Sequence, residues 1–452
     1  MNQYHAMVEK NRKLILDSFD YLWKNPESGY REWKTHAYME KIFTDLGYHV
    51  VPAGNIPGFI ADVDTGRPGP TVAVFGEMDA LIIPEHPESD PQTGAVHACG
   101  HCAQCAALIG IAAALKEPGA LDGLCGKIRL VAVPAEELIE IEYRLDLRQK
   151  GEIKYLGGKP EFLHRGLLEG VDLSFMVHTC VEPGGVATCN GGSNGLIAKT
   201  VCFQGVSAHA GGAPHKGINA LYAANLALNA INALRETFQD GDHIRVHPII
   251  TCGGGSVNAI PDKVTVESYV RGADMLAIRD ANRRVNRAIA GSAAAMGAKV
   301  QINDVPGYWP RHYSADFAHV FGQAAKTCGI DFRYNPAGWT NGCSDLGDIC
   351  AVMPAIHPQM GGASGKAHGV DYRITDPESA CVSSAKWQVQ ALGLLLSDGG
   401  AAAKQVIANT KTDFATVQEY FAFVDDLNMD KQVVSYDEKG NVTLNFQNED
   451  CV

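Results

Sequence analysis

Nothing in the chain approaches the roughly 18 consecutive apolar residues that a membrane-spanning helix needs, so no membrane partner is expected. An export signal is missing too. The first residues, MNQYHAMVEKNRKLILDSFDYLW, scatter charges among the apolar positions and read as an amphipathic helix. Positive charge is in short supply: 38 Lys and Arg stand against 51 Asp and Glu, a net charge of -13. The charge balance gives no basic surface of the kind that tracks a phosphate backbone, so no nucleic-acid partner is expected. Internal repeats and low-complexity tracts are absent, and 46% hydrophobic against 20% charged residues argues against disorder and for a sizeable core. The 13 cysteines are odd in number and come without an export signal, which points to reduced thiols and a cytoplasmic location rather than a disulfide framework.

What is present alternates between helical and extended patterns, as in an α/β protein. Helices are expected near 5–24, 34–46 and 100–116, with strands at 57–64, 71–77, 127–134 and 172–178. The runs TVAVFGE and KIRLVAVPAEE are apolar and end abruptly in acidic residues, which puts carboxylates at the carboxyl ends of buried strands, where open α/β sheets keep their ligands. GGSNG at 191–195 reads as a hinge. Beyond it the order strand, helix, strand, strand, helix, strand suggests a compact βαββαβ insert. The expected organisation is a first domain in two parts, 1–195 and 309–400, an insert at 196–308, and an extension at 401–452 with a helical stretch and a hairpin turning at DEKGN.

The densest group of reactive side chains is His97-Ala98-Cys99-Gly100-His101-Cys102. A thiolate and an imidazole two residues apart in a glycine-containing turn can both face one metal ion. The same segment is also a CxxC pair, so thiol–disulfide exchange through Cys99 and Cys102 is a rival reading, although that chemistry normally belongs to a small thioredoxin-like domain. Glu136 and Glu137 follow the strand VAVP. Two adjacent carboxylates at a buried strand end repel each other, and a cation relieves that cost; an ordinary acidic helix start is the plainer alternative. His178 ends DLSFMVHT, His368 lies in GGASGKAHGVDY, and Asp79, in GEMDAL, could hold a ligating histidine through its second nitrogen. Each signal is weak alone. Their recurrence at strand ends and loops of one α/β unit makes the case for a metal centre.

The motifs GEMDAL, HACGH, PAEE, SAHAGGAPHKGINAL, GGGSVNAIPD, GCSDLGD and AHGVDY occur in an order that resembles metallopeptidase family twenty, the aminoacylase and carboxypeptidase G type. The resemblance runs from about residue 5 to 397 and is greatest to the branch of p-aminobenzoyl-glutamate hydrolase and the β-alanyl-lysine dipeptidase. It implies a zinc-peptidase-like catalytic domain with a mixed sheet flanked by helices, an inserted α+β lid of ferredoxin-like βαββαβ order that mediates a homodimer, and two divalent ions, zinc or manganese. It further implies hydrolysis of a small-molecule amide, with Cys99 bridging the ions, His101, Glu137, His178 and His368 as the other ligands, and Glu136 as general base. By the same resemblance Asp79 orients His101, His209 stabilises the oxyanion, and Asn258 and Arg271 hold the substrate. Relatives commonly have Asp or Asn where Cys102 stands, and His357 in AIHP is a second candidate for the place given to His368. A catalytically inactive binding homologue would lack some ligand or base position; all are filled here.

Overall fold

The computed structural model describes residues 3–445. The chain forms two units, one comprising residues up to Gly192 with Arg311–Trp339 and Ser344–Ala415, the other Ser193–Pro310 with Thr340–Cys343 and the segment from Thr416 onward.

In the first unit a six-stranded sheet runs in the order Val50–Pro52, Phe59–Asp64, Lys127–Val133, Thr71–Glu77, Leu173–Phe175, Ala355–Ile356. The first three strands pair antiparallel and the last four parallel, so the sheet is mixed. Thr71–Glu77 is buried almost from end to end, as a strand covered on both faces must be. One cover is the helix His101–Leu115, in which every residue is buried, and which therefore reads as apolar all round rather than amphipathic. It packs between that strand and the helices Arg12–Trp23 and Ser384–Leu396. Phe175, Phe317, Phe321 and Trp387 fill the core on the Ser384–Leu396 side, with the Trp387 indole donating to the Phe321 carbonyl at 2.9 Å. The expected strand at 172–178 is broken into Leu173–Phe175 and His178–Cys180, and the second piece joins Gln359–Gly361 in a smaller sheet. Two short helices between the strands, Ile141–Gln149 and Gly158–His164, have no strong sequence pattern and were not expected.

The second unit has nearly the strand and helix order expected for the insert, with one expected strand split into Arg245–Val246 and Ile249–Cys252. Gly195–Gln204 lies between Lys263–Gly272 and Lys299–Pro306, all antiparallel, with helices Ala220–Leu234 and Met275–Ala295. Both helices carry Asx caps, from Asn219 and Asp274. The extension set apart at 401–452 does not stand by itself. Its helix Ala401–Asn409 lies in the first unit, while the hairpin Met429–Tyr436 and Val442–Leu444 adds strands to the second unit's sheet by pairing with Lys299–Pro306. An edge strand presents unpaired main-chain groups, and the tail satisfies them. No helix among the described residues is long and apolar enough to cross a membrane.

Candidate metal centre

Parallel register brings the reactive residues of the first unit to one edge of the sheet. Glu77 pairs with Val133, so the chain leaves both strands side by side, Met78–Asp79 on one and Pro134–Glu137 on the other, stitched by Met78 N–H to Val133 carbonyl at 3.0 Å. Leu173–Phe175 and Ala355–Ile356 end at the same edge and lead to His178 and His357. The HACGH turn enters its helix through Gly100, whose φ of +95° suits glycine; a Cβ there would also meet Tyr372 Oη at 2.6 Å. His368 is held against this turn by its own N–H, which donates to the Ala98 carbonyl at 3.0 Å, and its φ of +63° is unusual for a non-glycine residue.

Two groups of potential ligand atoms share one sulfur. Cys99, His101 and His178 place their donors within 4.8 Å of one another, and so do Cys99, Glu137 and His368. Cys99 Sγ lies 3.3 Å from His178 Nε2, and His368 Nε2 lies 3.2 Å from Glu137 Oε1. Asp79, completely buried, works on both groups: one carboxylate oxygen is 3.1 Å from His101 Nδ1 and the other accepts the Glu137 N–H at 2.8 Å. With Nδ1 committed to Asp79, His101 turns Nε2 towards the cluster. His101 Nε2 is buried without a hydrogen bond, although Glu77 Oε2 stands 3.3 Å away, and buried Glu137 Oε1 has the 3.2 Å approach of His368 Nε2. Buried polar atoms crowded together without hydrogen bonds are costly, and a cation among them removes the cost. A thiol, three imidazoles and a carboxylate therefore make two donor groups, sharing Cys99, of a kind that fits divalent ions.

The adjacent carboxylates are electrostatically split. Burial, with the negative charges of Glu77 and Glu137, pushes Glu136 well above the usual carboxylate range. Burial acts on Glu137 as well, but the hydrogen bond and charge of His368, with the charge of His101, outweigh it and hold Glu137 below that range. One carboxyl favours holding a proton and its neighbour favours being an anion, as an acid–base group and a ligand would. Burial, reinforced by Glu137, pushes the Cys99 thiol well above its ordinary value, so a thiolate at that position needs a cation beside it. Cys102 is pushed by burial up to about 12. Thiol exchange needs a lowered pKa and access to the sulfur; Cys102 has neither, which counts against redox chemistry.

The model of peptidase family M20/M25/M40 matches residues 73–392, a span that holds every residue named in this cluster. The chain belongs to that family. Two M20-like relatives are an indole-3-acetyl-aspartic acid hydrolase of Enterobacter agglomerans, 30% identical over 62% of this chain and 62% of its own length, and a mouse Xaa-Arg dipeptidase, 28% identical over 75% of this chain and 74% of its own. The chain thus spans under two thirds of the length of the first. The crystal structure of a dinuclear metal-binding M20 peptidase from Bacillus subtilis shares the fold, with a TM-score of 0.65 and 22% identity over 86% of this chain and 99% of that one.

Other residues expected at an M20 site lie in the second unit. His209 and Asn258 come together: the two loops are joined by an antiparallel bridge between His209 and Ala259, and Ala210 N–H donates to the Asn258 carbonyl at 2.9 Å. The exposed His209 ring accepts the Gly211 and Gly212 N–H groups on Nδ1 at 3.2 and 3.0 Å, which leaves Nε2 to carry the proton as a donor. Arg271 is not with them. It pairs with Leu196, whereas the loops of His209 and Asn258 follow the far end of the same ladder, beyond Gln204 and Lys263; the strand between covers roughly 26 Å. In the first unit His357 belongs to neither donor group; its Nδ1 meets the Arg311 guanidinium and its ring lies 5.4 Å from that of His178. Sequence reasoning missed Glu77, Lys159 and Asp345, a buried ion triad in which Lys159 Nζ contacts Glu77 and lies 2.5 Å from Asp345. Glu77 could have been found as the terminal residue of its strand, and Asp345 within GCSDLGD. Lys159, in a glycine-rich segment, carries no such signal.

Proposed function

We propose that the chain is a dinuclear metal-dependent amidohydrolase acting on a small N-acyl amino acid, p-aminobenzoyl-glutamate-like or dipeptide substrate. The observation that carries this reading is the pair of donor groups meeting at Cys99 beside a second, electrostatically distinct carboxylate. Cys99, His101, Glu137, His178 and His368 would hold two ions, zinc or manganese. Bound there, the ions would supply the positive charge that acidifies a water and polarises the scissile carbonyl. Glu136 takes the proton from the attacking water and returns it to the leaving amine, a role worth about 10² to 10⁴ in rate. Asp79 fixes the tautomer of His101. His209 Nε2–H is the donor for the developing oxyanion, and Asn258 and Arg271 bind the rest of the substrate.

The separation of Arg271 from His209 and Asn258 within one second unit supports a homodimer in which one protomer supplies Arg271 and its partner the other two. The names of the relatives, a hydrolase of an acyl-aspartate and a dipeptidase, support the substrate class. The described cysteines are all free thiols, in keeping with a reducing cytoplasm. Purified protein reconstituted with zinc or manganese should release free amine from at least one of a panel of N-acyl amino acids, p-aminobenzoyl-glutamate and β-alanyl or basic dipeptides. It should lose that activity on chelation and regain it on metal return. Full activity with no bound transition metal would refute the proposal.

A further inference from the structure

Arg144, on the helix Ile141–Gln149, is completely buried and forms no ion pair among the described residues. Its hydrogen bonds go entirely to main-chain carbonyls: Nη1 donates to Leu156 at 2.7 Å and to Ala135 at 3.2 Å, and Nη2 donates to Glu137. The charges of buried Glu32 and Asp79 reach it without a direct ion pair, and burying a guanidinium with no carboxylate in contact is unfavourable, so its position calls for a reason. The carbonyls of Ala135 and Glu137 flank Glu136. Ala135 has a φ of +58°, which a residue with a Cβ rarely adopts, and the backbone here must be held by its surroundings. The buried Glu32 accepts the Ala135 N–H at 2.8 Å and Asp79 accepts the Glu137 N–H at 2.8 Å. Gly29 makes room, since a Cβ there would collide with Nη2 and stand 2.9 Å from Ala135 Cα.

We infer that Arg144 is a positioning residue for the reaction: its planar fork draws the carbonyls on both sides of Glu136 onto one cation and so sets the directions of the Glu136 and Glu137 side chains. The inference rests on the assignment of those two residues as base and ligand. A lysine keeps the charge but not the fan of donors, so Arg144→Lys tests geometry rather than charge. Gly29→Ala keeps the arginine in the sequence but displaces its guanidinium and presses on Ala135, so it disturbs the same turn from the other side. Arg129→Ala is the control, because that guanidinium likewise ties two carbonyls, those of Leu167 and Glu169, with Asp62 in addition, but at other loops.

The experiment is a competitive titration of chelator-stripped protein with zinc and with manganese, alongside Tm and steady-state kinetics on the substrate with the greatest turnover. Arg144→Lys and Gly29→Ala should each weaken at least one of the two ions, and lower kcat, by about 10 to 100-fold, with KM within about 3-fold and a Tm loss no larger than that of Arg129→Ala. Arg129→Ala should keep both affinities. Wild-type affinity and kcat in Arg144→Lys would overturn the inference, as would an equal loss of affinity in Arg129→Ala, which would show general destabilisation. Wild-type protein that binds no divalent ion would instead overturn the functional reading, and this inference with it.

Discussion

Glu136 and Glu137 are neighbours with opposite environments. Glu137 is drawn to His368 and has its N–H on Asp79, while Glu136 faces the negative charge of Glu77. Glutamine keeps the shape of either side chain but cannot accept a proton or bind a cation as an anion. Glu136→Gln is therefore expected to lower turnover at least roughly 10²-fold with metal content retained. Glu137→Gln is expected to lower metal occupancy first. Elemental analysis beside kinetics separates the two, and an exchange of phenotypes would reverse the assignments. At this scale the motifs were informative about which residue types matter, and the AHGVDY context favoured His368 over His357. In the structure, main-chain bonding to Ala98 puts His368 beside Glu137, and Arg311 engages His357.

At the scale of elements, the second unit contains a polar network inside an apolar layer. Lys199, on the central strand Gly195–Gln204, contacts Asp304 and Asn286, and both Asn282 and Asn286 donate to Asp304, at 2.7 and 2.8 Å. Burial pulls the Lys199 ammonium below the usual lysine range, and Asp304 opposes that shift. Replacing Asp304 with leucine leaves a buried cation without its counter-ion and two amide N–H groups without their acceptor, a change that costs roughly 3–5 kcal/mol. The expected result is a lower Tm or an early separate unfolding step, followed by circular dichroism. Lys199→Met with Asp304→Leu should recover much of the loss; a single Asp304→Leu variant as stable as wild type would show that the network is not a determinant of stability. Periodicity was enough to place the strands of this unit, because apolar alternation is a local property. It could not foresee the network, whose members lie up to 105 residues apart.

At the scale of the whole molecule, the proposed dimer has a kinetic consequence. If His209 serves the site of a partner protomer, chains carrying His209→Ala and chains carrying Glu136→Gln are each nearly inactive alone. Remixed, about half the dimers are mixed and each has one intact site of two, so up to about a quarter of wild-type activity should return. Protomer exchange confirmed by mass spectrometry without any return of activity would place His209 on its own chain's site or on none.

The sequence by itself determined the α/β class and the order of donors along the chain, because short apolar runs and the residues that end them are local signals. Only the tertiary structure decided that two donor groups meet at Cys99, that Arg144 and Glu32 hold the turn of the two glutamates, and that the tail closes a sheet edge it follows by more than a hundred residues. Those outcomes depend on parallel register and on contacts between distant segments. Burying such polar groups is costly unless they are paired, and no neighbouring residue in sequence can pair them.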